Sequence, residues 1–159
     1  MTGHNPTDRS KLGSKRHILT DKYGIPLSVI ITSANTHDVT TVAIDTVDST
    51  VIKRPSPLSK PKHNQKKQNL CLDKAYHSKE VEQEIIKRGY IPHIRHRREE
   101  ERIFHRKHPA ARRWVVERTN SWHNRFRKLF TRYEKKDKNY LGLVQLANSI
   151  IIYRKIILG

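Results

Sequence analysis

The 159-residue sequence contains little cysteine, few acids and no long apolar run. Cys71 is its single cysteine, which excludes a disulfide framework and fits a reducing compartment. The N-terminal residues lack the apolar segment of a secretory signal peptide. The longest apolar stretch, residues 149–158, is interrupted by Arg154 and Lys155 and is too short to span a bilayer. We therefore expect a cytoplasmic protein with no membrane partner.

Basic residues, by contrast, are abundant. Lys and Arg number 33 against 15 Asp and Glu, which gives a formal net charge of +18 at pH 7. A compact domain with this excess repels itself unless a polyanion lies nearby, and nucleic acid is the obvious polyanion. Only 35% of the residues are apolar, below the usual range for a globular domain. The sequence therefore predicts one nucleic-acid-binding domain with a thin core, a large hydrated face, or part of its fold missing.

The first third of the chain predicts an antiparallel hairpin followed by a helix. The polar residues 1–14 are expected to form an irregular arm. Two β-rich runs, 15–21 and 25–32, flank a turn signal and predict the hairpin. Asp38 then precedes a helical pattern, and its carboxylate is well placed to cap that helix.

The middle of the chain predicts a βαβ unit after a basic linker. Residues 53–69 combine prolines with lysines and contain no acid, which disfavours regular structure. A short apolar run then ends at Asp73, Ser78 begins a helical pattern, and residues 90–94 read as another strand. The order strand, helix, strand implies a parallel pair.

The last third predicts two helices. Residues 95–111 are a highly charged loop, and residues 112–128 read as one long helix. The final helix, about 141–157, carries an apolar packing stripe consisting of Val144, Ala147, Ile150 and Ile151.

Two acids are candidates for metal-dependent phosphoryl transfer. Asp73 lies at the carboxyl end of a predicted buried strand, the edge at which sites form in open α/β sheets. Clustered carboxylates suit Mg²⁺, which prefers oxygen ligands, although an isolated aspartate in such a place is more often a turn or cap residue. Glu117 lies inside the predicted long helix, four residues after Arg113. An ordinary ion pair explains that spacing but not the run of cations around it.

Several motifs in order resemble the DDE transposases of bacterial insertion sequences, subgroup five. The segment 5–17 resembles the part that follows the family's first catalytic strand, and Asp73-Lys74-Ala75-Tyr76 resembles its second-acid motif, with Ala75 in place of a glycine. The family's third-acid signature is resembled by a set of residues in the last third of the chain, namely Arg113, Glu117-Arg118-Thr119, Trp122, 124–127 and 132–134. The family's C-terminal helix is resembled by Asn139-Tyr140 with the apolar tail. The resemblance covers essentially the whole chain.

The resemblance implies an α/β fold with a ribonuclease-H-like mixed sheet flanked by helices. It also implies DNA cleavage and strand transfer dependent on Mg²⁺ or Mn²⁺, with Asp73 and Glu117 as the second and third acids and as metal ligands. The implied partners are double-stranded DNA, at the element ends and at the target, and an association with the nucleoid. The cations expected to contact DNA are Lys74, Arg112, Arg113, Arg118, Arg125 and Lys128.

The sequence departs from the family pattern in two ways. The family's first acid precedes segment 5–17 at the end of a central strand, so we expect residues 1–159 to be a partial catalytic domain without that strand and without an N-terminal DNA-recognition domain. Asp8, Asp21 and Asp38 are poor substitutes for the acid. The position seven residues after Glu117, a lysine in some related transposases, is Asn124.

Two interpretations remain open at this point. The chain is a strand-transferase whose missing residues come from an upstream transposase polypeptide, or it is a DNA-binding remnant that inhibits an intact homologue. An unrelated basic nucleic-acid-binding protein is disfavoured by the motif order. The histidine pairs of residues 93–96 and 105–108 resemble metal spacing, but with no cysteines nearby and basic residues throughout, a phosphate-contacting loop is the better interpretation than structural zinc.

Overall fold

The computed structural model describes residues 2–4, 10, 12–36, 40–52, 68–73, 76, 78–94 and 114–159. Its strands are β1 (Gly3–His4), β2 (Leu12–Thr20), β3 (Pro26–Ser33), β4 (Asn69–Leu72) and β5 (Ile91–Ile94). Its helices are α1 (Thr40–Asp48), α2 (Lys79–Lys87), α3 (Trp114–Asn124), α4 (Arg127–Phe130) and α5 (Asp137–Ile152), followed by a π-helical turn (Tyr153–Ile157). The predicted α/β class is confirmed.

The chain forms two compact units. The first unit consists of Met1–His37, Asp45–Val51 and Trp114–Gly159. The second unit consists of Asp38–Ile44 and Ile52–Arg113, so α1 contributes residues to both. Asp73 belongs to the second unit and Glu117 to the first.

The sheet of the first unit is antiparallel in the order β1-β2-β3. The predicted hairpin is confirmed, with Lys15 opposite Thr32 and Ile18 opposite Val29. The register shifts between Leu19 and Thr20, next to the turn that joins the two strands. Such irregularities bend a strand locally and increase its twist.

The irregular arm predicted for residues 1–14 is wrong where the structure describes it. Gly3 and His4 form β1 and pair with Gly13 and Leu12, at the start of β2. Close packing explains the strand, since a Cβ on Gly3 would lie 2.0 Å from the Asn35 side-chain oxygen. Polarity alone therefore did not distinguish an arm from a short edge strand.

The core of the first unit lies between the hairpin and the C-terminal helices. Its buried side chains are Val29, Leu129, Tyr140, Val144 and Ala147. Half-buried apolar residues pack around them, namely Ile18, Ile31, Phe126, Leu141 and Leu143. The predicted stripe of α5 is confirmed for Val144, Ala147 and Ile151, which are buried, whereas Ile150 is only half-buried.

The single helix predicted for residues 112–128 is also wrong, because it is interrupted after Asn124. Phe126 has extended backbone angles, φ −87° and ψ 106°, and the separate helix α4 begins at Arg127. The interruption lets Leu129, 3% exposed, enter the core that Phe126 packs against. Burial of apolar side chains outweighs the hydrogen bonds of an unbroken helix at this point.

The second unit contains the predicted βαβ arrangement, which is confirmed. β4 and β5 are parallel, with Leu70 opposite Pro92, and α2 connects them. Val81 and Ile85 on α2 are each 1% exposed. Ser78 caps α2 as predicted, since its hydroxyl accepts a hydrogen bond from the Val81 N–H at 3.2 Å.

The linker predicted for residues 53–69 ends earlier than expected. Residues 53–67 lie outside the described part of the chain, whereas Asn69 is the first residue of β4 and pairs with Ile91. The Ile91 N–H also donates to the Gln68 carbonyl at 2.9 Å, which extends the strand pairing backward. Asp38 and the loop 95–111 also lie outside the described residues.

The predicted mixed sheet is not continuous in the described part of the chain. The antiparallel strands β1 to β3 form one sheet and the parallel strands β4 and β5 form another. The ribonuclease-H-like arrangement of these strands stays a prediction.

Candidate functional site

Asp73 directly follows β4, at the carboxyl end of a parallel strand pair. The prediction that this acid ends a strand is confirmed, but the predicted burial of that strand is wrong, since only Leu70 of β4 is buried. Its side chain is exposed, and its carbonyl accepts a hydrogen bond from the Tyr76 N–H at 3.0 Å. That turn carries the chain from the strand towards the capped start of α2. Local structure alone therefore presents the carboxylate at the edge where ligands bind in open α/β sheets.

Strand β4, which precedes Asp73, also makes a polar side-chain contact with β5. The Cys71 thiol lies 3.5 Å from His93 Nδ1, on the facing residue of β5. His93 is buried at 6% exposure, whereas Cys71 is exposed. His93 therefore belongs to the packing of the second unit, and the Cys71 contact corrects the sequence-based premise that no cysteine lies near this histidine.

Glu117 lies in the first turn of α3, and its side chain is exposed. The next two residues hold this helix against the turn between β2 and β3. Thr119 is fully buried, and its hydroxyl donates to the Gly24 carbonyl at 2.7 Å. The Arg118 guanidinium donates to the Tyr23 carbonyl. Glu117 therefore projects from a helix that is anchored next to it.

The Arg118 side chain is also stacked on aromatic rings. Its guanidinium carbon lies 4.8 Å from the ring centre of Trp114 and 5.2 Å from that of Trp122. Trp122 also has Lys155 at 5.1 Å from its ring centre. Cation–π contacts of this kind contribute about 0.5–1 kcal/mol at exposed sites and more when desolvated. Arg118 thus has protein partners, which favours a structural role for it.

The far end of α3 is fixed by a buried histidine. His123 is fully buried, and its Nε2 lies 2.6 Å from the Asn148 side-chain oxygen on α5. Because that oxygen is an acceptor, Nε2 carries the proton. Burial lowers the pKa of His123 below its ordinary value, and the nearby positive charge of Arg16 lowers it further, against the Asn148 hydrogen bond. The imidazole is therefore neutral at pH 7.

Arg132 joins three parts of the first unit. Its guanidinium donates to the Ser14 hydroxyl of β2, to the Glu134 carbonyl at 2.8 Å and to the Asp137 carboxylate at 2.7 Å. It also lies 4.9 Å from the ring centre of Tyr140. A planar guanidinium suits several simultaneous partners.

These anchoring roles were not predicted from the sequence. The motif 132–134 and the residues after Glu117 were singled out, but each anchor has one partner distant in sequence, namely Ser14 for Arg132, Gly24 for Thr119 and Asn148 for His123. A sequence signal exists only for Thr119 and His123, which are polar residues at buried positions of α3. Polar residues at buried helix positions need partners, because an unsatisfied buried group costs free energy.

The predicted DNA contacts fall into three groups. Arg125 and Lys128 are exposed, as the prediction requires. Arg118 is half-buried with the partners given above. Lys74, Arg112 and Arg113 lie outside the described residues.

The chemistry of the two acids fits a hard divalent cation, since both carboxylates are exposed and oxygen ligands suit such ions. Within the described ranges, no group of three or more His, Cys, Asp and Glu residues is arranged to hold a metal. The two acids belong to different units, and each is positioned by its own surroundings.

Comparison with known proteins identifies the family. The sequence profile of the transposase DDE domain matches residues 2–152. A Burkholderia cepacia protein named "Putative transposase for insertion sequence element IS402" is 36% identical over 154 residues, covering 96% of this chain and 68% of that protein. The chain belongs to the transposase DDE domain family, a class of enzymes that carry out DNA transposition. No solved structure gives a significant match.

None of the helices in the described ranges is long and apolar enough to cross a membrane.

Proposed function

We propose that the chain supplies two catalytic acids, Asp73 and Glu117, to a transposase that cleaves DNA and transfers strands with Mg²⁺ or Mn²⁺. The observation that carries this proposal is the exposed Asp73 carboxylate at the carboxyl end of a parallel strand, in a chain of the DDE family. A ribonuclease-H-like arrangement of the strands is part of the proposal.

The roles of the two acids follow from their positions. Each carboxylate offers oxygen ligands, and neither is buried, so a hydrated cation and a DNA phosphate have access to both. When bound, the divalent ions would activate the attacking oxygen and stabilise the leaving one. The protein contributes by holding Asp73 through the β4 turn and Glu117 through the anchored helix α3.

The proposed partner is double-stranded DNA, at the element ends and at the target. The net charge of +18 and the exposed Arg125 and Lys128, beyond the last residues of α3, support this. We also propose DNA contacts for Lys74, Arg112 and Arg113, because the family resemblance implies them. We propose a cytoplasmic location, in association with the nucleoid, and an upstream transposase polypeptide or an intact homologue as the protein partner.

A metal titration tests the acids. Mn²⁺ binding in the presence of duplex DNA should weaken in Asp73→Asn and in Glu117→Gln. The matched control is Asp45→Asn, which removes an exposed carboxylate of α1 and should leave binding unchanged. Equal Mn²⁺ affinity in all four proteins would contradict the proposal.

A DNA titration tests the partner. The logarithm of the association constant should fall linearly with the logarithm of salt concentration, at about 0.9 per phosphate neutralised. Replacing both Arg125 and Lys128 by Ala should reduce that slope by about one for each lost phosphate contact. An affinity independent of salt would contradict the proposed DNA interface.

A cleavage assay separates the enzyme from the second interpretation. Metal-dependent cleavage of duplexes that carry the element ends, lost in Asp73→Asn and Glu117→Gln, supports a strand-transferase. Salt-dependent DNA binding without metal binding or cleavage would instead support a DNA-binding inhibitor of an intact homologue.

A further inference from the structure

The turn over residues 21–25, called the 21–25 turn below, is held together by Asp21. One carboxylate oxygen of Asp21 accepts hydrogen bonds from the N–H groups of Tyr23 and Ile25, both at 2.8 Å. The backbone adds bonds from the Asp21 N–H to the Ile25 carbonyl at 3.0 Å and from the Gly24 N–H to the Asp21 carbonyl at 3.1 Å. Such Asp-stabilised turns fix the directions of their carbonyl groups.

Two of those carbonyls bind the helix that carries Glu117. The Tyr23 carbonyl accepts from Arg118, and the Gly24 carbonyl accepts from the Thr119 hydroxyl, across 95 positions of sequence. The Thr119 hydroxyl also lies 3.2 Å from the Val115 carbonyl of its own helix. The shorter distance to Gly24, 2.7 Å, makes the turn its main acceptor.

Gly24 shows how closely the helix and the turn approach. Its φ is +80°, a conformation that side chains rarely adopt. A Cβ at this position would lie 3.0 Å from the Thr119 hydroxyl and 3.3 Å from the Arg118 guanidinium. Glycine therefore permits both the turn and the contact.

We propose that the 21–25 turn positions Glu117, with Thr119 and Arg118 as positioning residues. The proposal rests on the function proposed above for Glu117. Consecutive helix residues advance about 1.5 Å along the axis and rotate by about 100°. Fixing residues 118 and 119 therefore fixes both the height and the rotation of the neighbouring carboxylate. Metal ligands held 1 Å away from their productive place lose much of their effect.

Substitutions of Thr119 separate positioning from packing. Thr119→Val keeps the shape of the buried side chain but removes the hydroxyl that binds the Gly24 carbonyl. Thr119→Ser keeps the hydroxyl and should restore the anchor. Thr131→Val changes an exposed threonine of the same unit and is the matched control. Asp21→Ala removes the acceptor that holds the 21–25 turn together and leaves the helix unchanged. It therefore tests the turn's contribution to the same anchor.

The measurement is Mn²⁺ affinity of the full chain with bound duplex, followed by quenching of tryptophan fluorescence. Trp114 is three residues before Glu117 and so lies near its face of the helix, and both tryptophans belong to the first unit. Circular dichroism establishes that each variant is folded. We expect Thr119→Val and Asp21→Ala to weaken Mn²⁺ binding by about twofold to tenfold, the fold-change that corresponds to one hydrogen bond. Thr119→Ser and Thr131→Val should bind as the wild type does.

The outcomes distinguish this inference from the proposed function. If Glu117→Gln weakens Mn²⁺ binding but folded Thr119→Val and Asp21→Ala bind normally, the positioning role is wrong and the function stands. If Thr119→Ser is as impaired as Thr119→Val, the hydroxyl is not the anchor and the proposal fails. If Glu117→Gln itself binds Mn²⁺ normally, both the proposed role of Glu117 and its positioning are overturned.

Discussion

Asp73 follows a four-residue strand in the second unit, whereas Glu117 lies on an eleven-residue helix in the first unit. Near Asp73, strand β4, the Tyr76 hydrogen bond and the Ser78 cap lie within ten residues of one another, and β4 pairs with β5 about twenty residues later. The helix of Glu117 is held by partners about a hundred residues earlier and twenty-five residues later.

This contrast shows two ways to present an exposed carboxylate. A parallel strand orients the residue that follows it through backbone geometry, and few side chains are needed. A helix near a surface can shift or rotate, so it needs side-chain anchors along its length. Substitutions of long-range anchors in the first unit should therefore lower the free energy of unfolding more than substitutions of local contacts in the second unit.

The largest effect is expected from Arg132. Arg132→Met keeps the side-chain length but removes the donors to Ser14, Glu134 and Asp137. The free energy of unfolding of the first unit should fall by about 2–3 kcal/mol, because hydrogen bonds to charged groups contribute about this much. Tryptophan fluorescence during urea unfolding measures it, since both tryptophans are in the first unit.

The comparison for Arg132 is Arg88 in the second unit. Arg88 pairs with Glu84 at 2.6 Å, but both groups are partly exposed, at 26% and 35%. Solvent screens such pairs, so Arg88→Met should cost less than about 1 kcal/mol. Urea unfolding followed by circular dichroism measures both variants, and equal losses of unfolding free energy would remove the distinction between the units.

Gly24 gives the next largest effect. Gly24→Ala should destabilise the first unit by about 1–3 kcal/mol, because alanine is strained at this φ and its Cβ meets Thr119. Gly142→Ala is the matched control, since Gly142 lies inside α5 with open space where the Cβ would be. That control should stabilise the helix by about 0.5–1 kcal/mol. Urea unfolding monitored by tryptophan fluorescence should show opposite signs, and a shared sign would contradict the proposed close contact.

A smaller effect is expected in the second unit, at Ser78. Ser78→Ala removes the acceptor for the Val81 N–H and should destabilise α2 by about 1 kcal/mol. Ser121→Ala changes an exposed serine inside α3 and should be neutral or slightly favourable, since alanine is the better helix former. Thermal unfolding by circular dichroism compares them. If Ser121→Ala costs as much as Ser78→Ala, capping is not the cause.

The same contrast explains what could be predicted from the sequence. The βαβ arrangement around Asp73 was predicted almost to the residue, because an apolar run and a cap signal are local features. The hairpin and the stripe of α5 were predicted from their periodicity for the same reason. Asn69 was assigned to the linker because strand pairing with Ile91 depends on a distant segment.

The errors concentrate where distant contacts decide the structure. The break in α3 at Phe126 depends on a core assembled from the hairpin and α5, which periodicity does not reveal. β1 depends on the fit of Gly3 against Asn35. Glu117 could be identified from its motif. The anchoring roles of Thr119 and Arg118 could not, because they depend on where the 21–25 turn lies. The roles of both acids in metal binding stay predictions.

The smallest effect on the stability of the first unit is expected from the titration of His123, which acts only when the pH falls below neutral. Its folded-state pKa lies below the ordinary value of 6.5 because burial disfavours the charged imidazole. The unfolded chain therefore binds this proton more readily, so stability is fully present above about pH 6.5 and declines as the pH falls below it. His123→Gln keeps an amide donor for the Asn148 oxygen but does not titrate, so it should remove this component of the pH dependence. Urea unfolding at about pH 7.5 and about pH 5.5, followed by tryptophan fluorescence, compares the two proteins. An equal loss of stability on acidification in both would show that other groups, and not His123, set the acid sensitivity of the first unit.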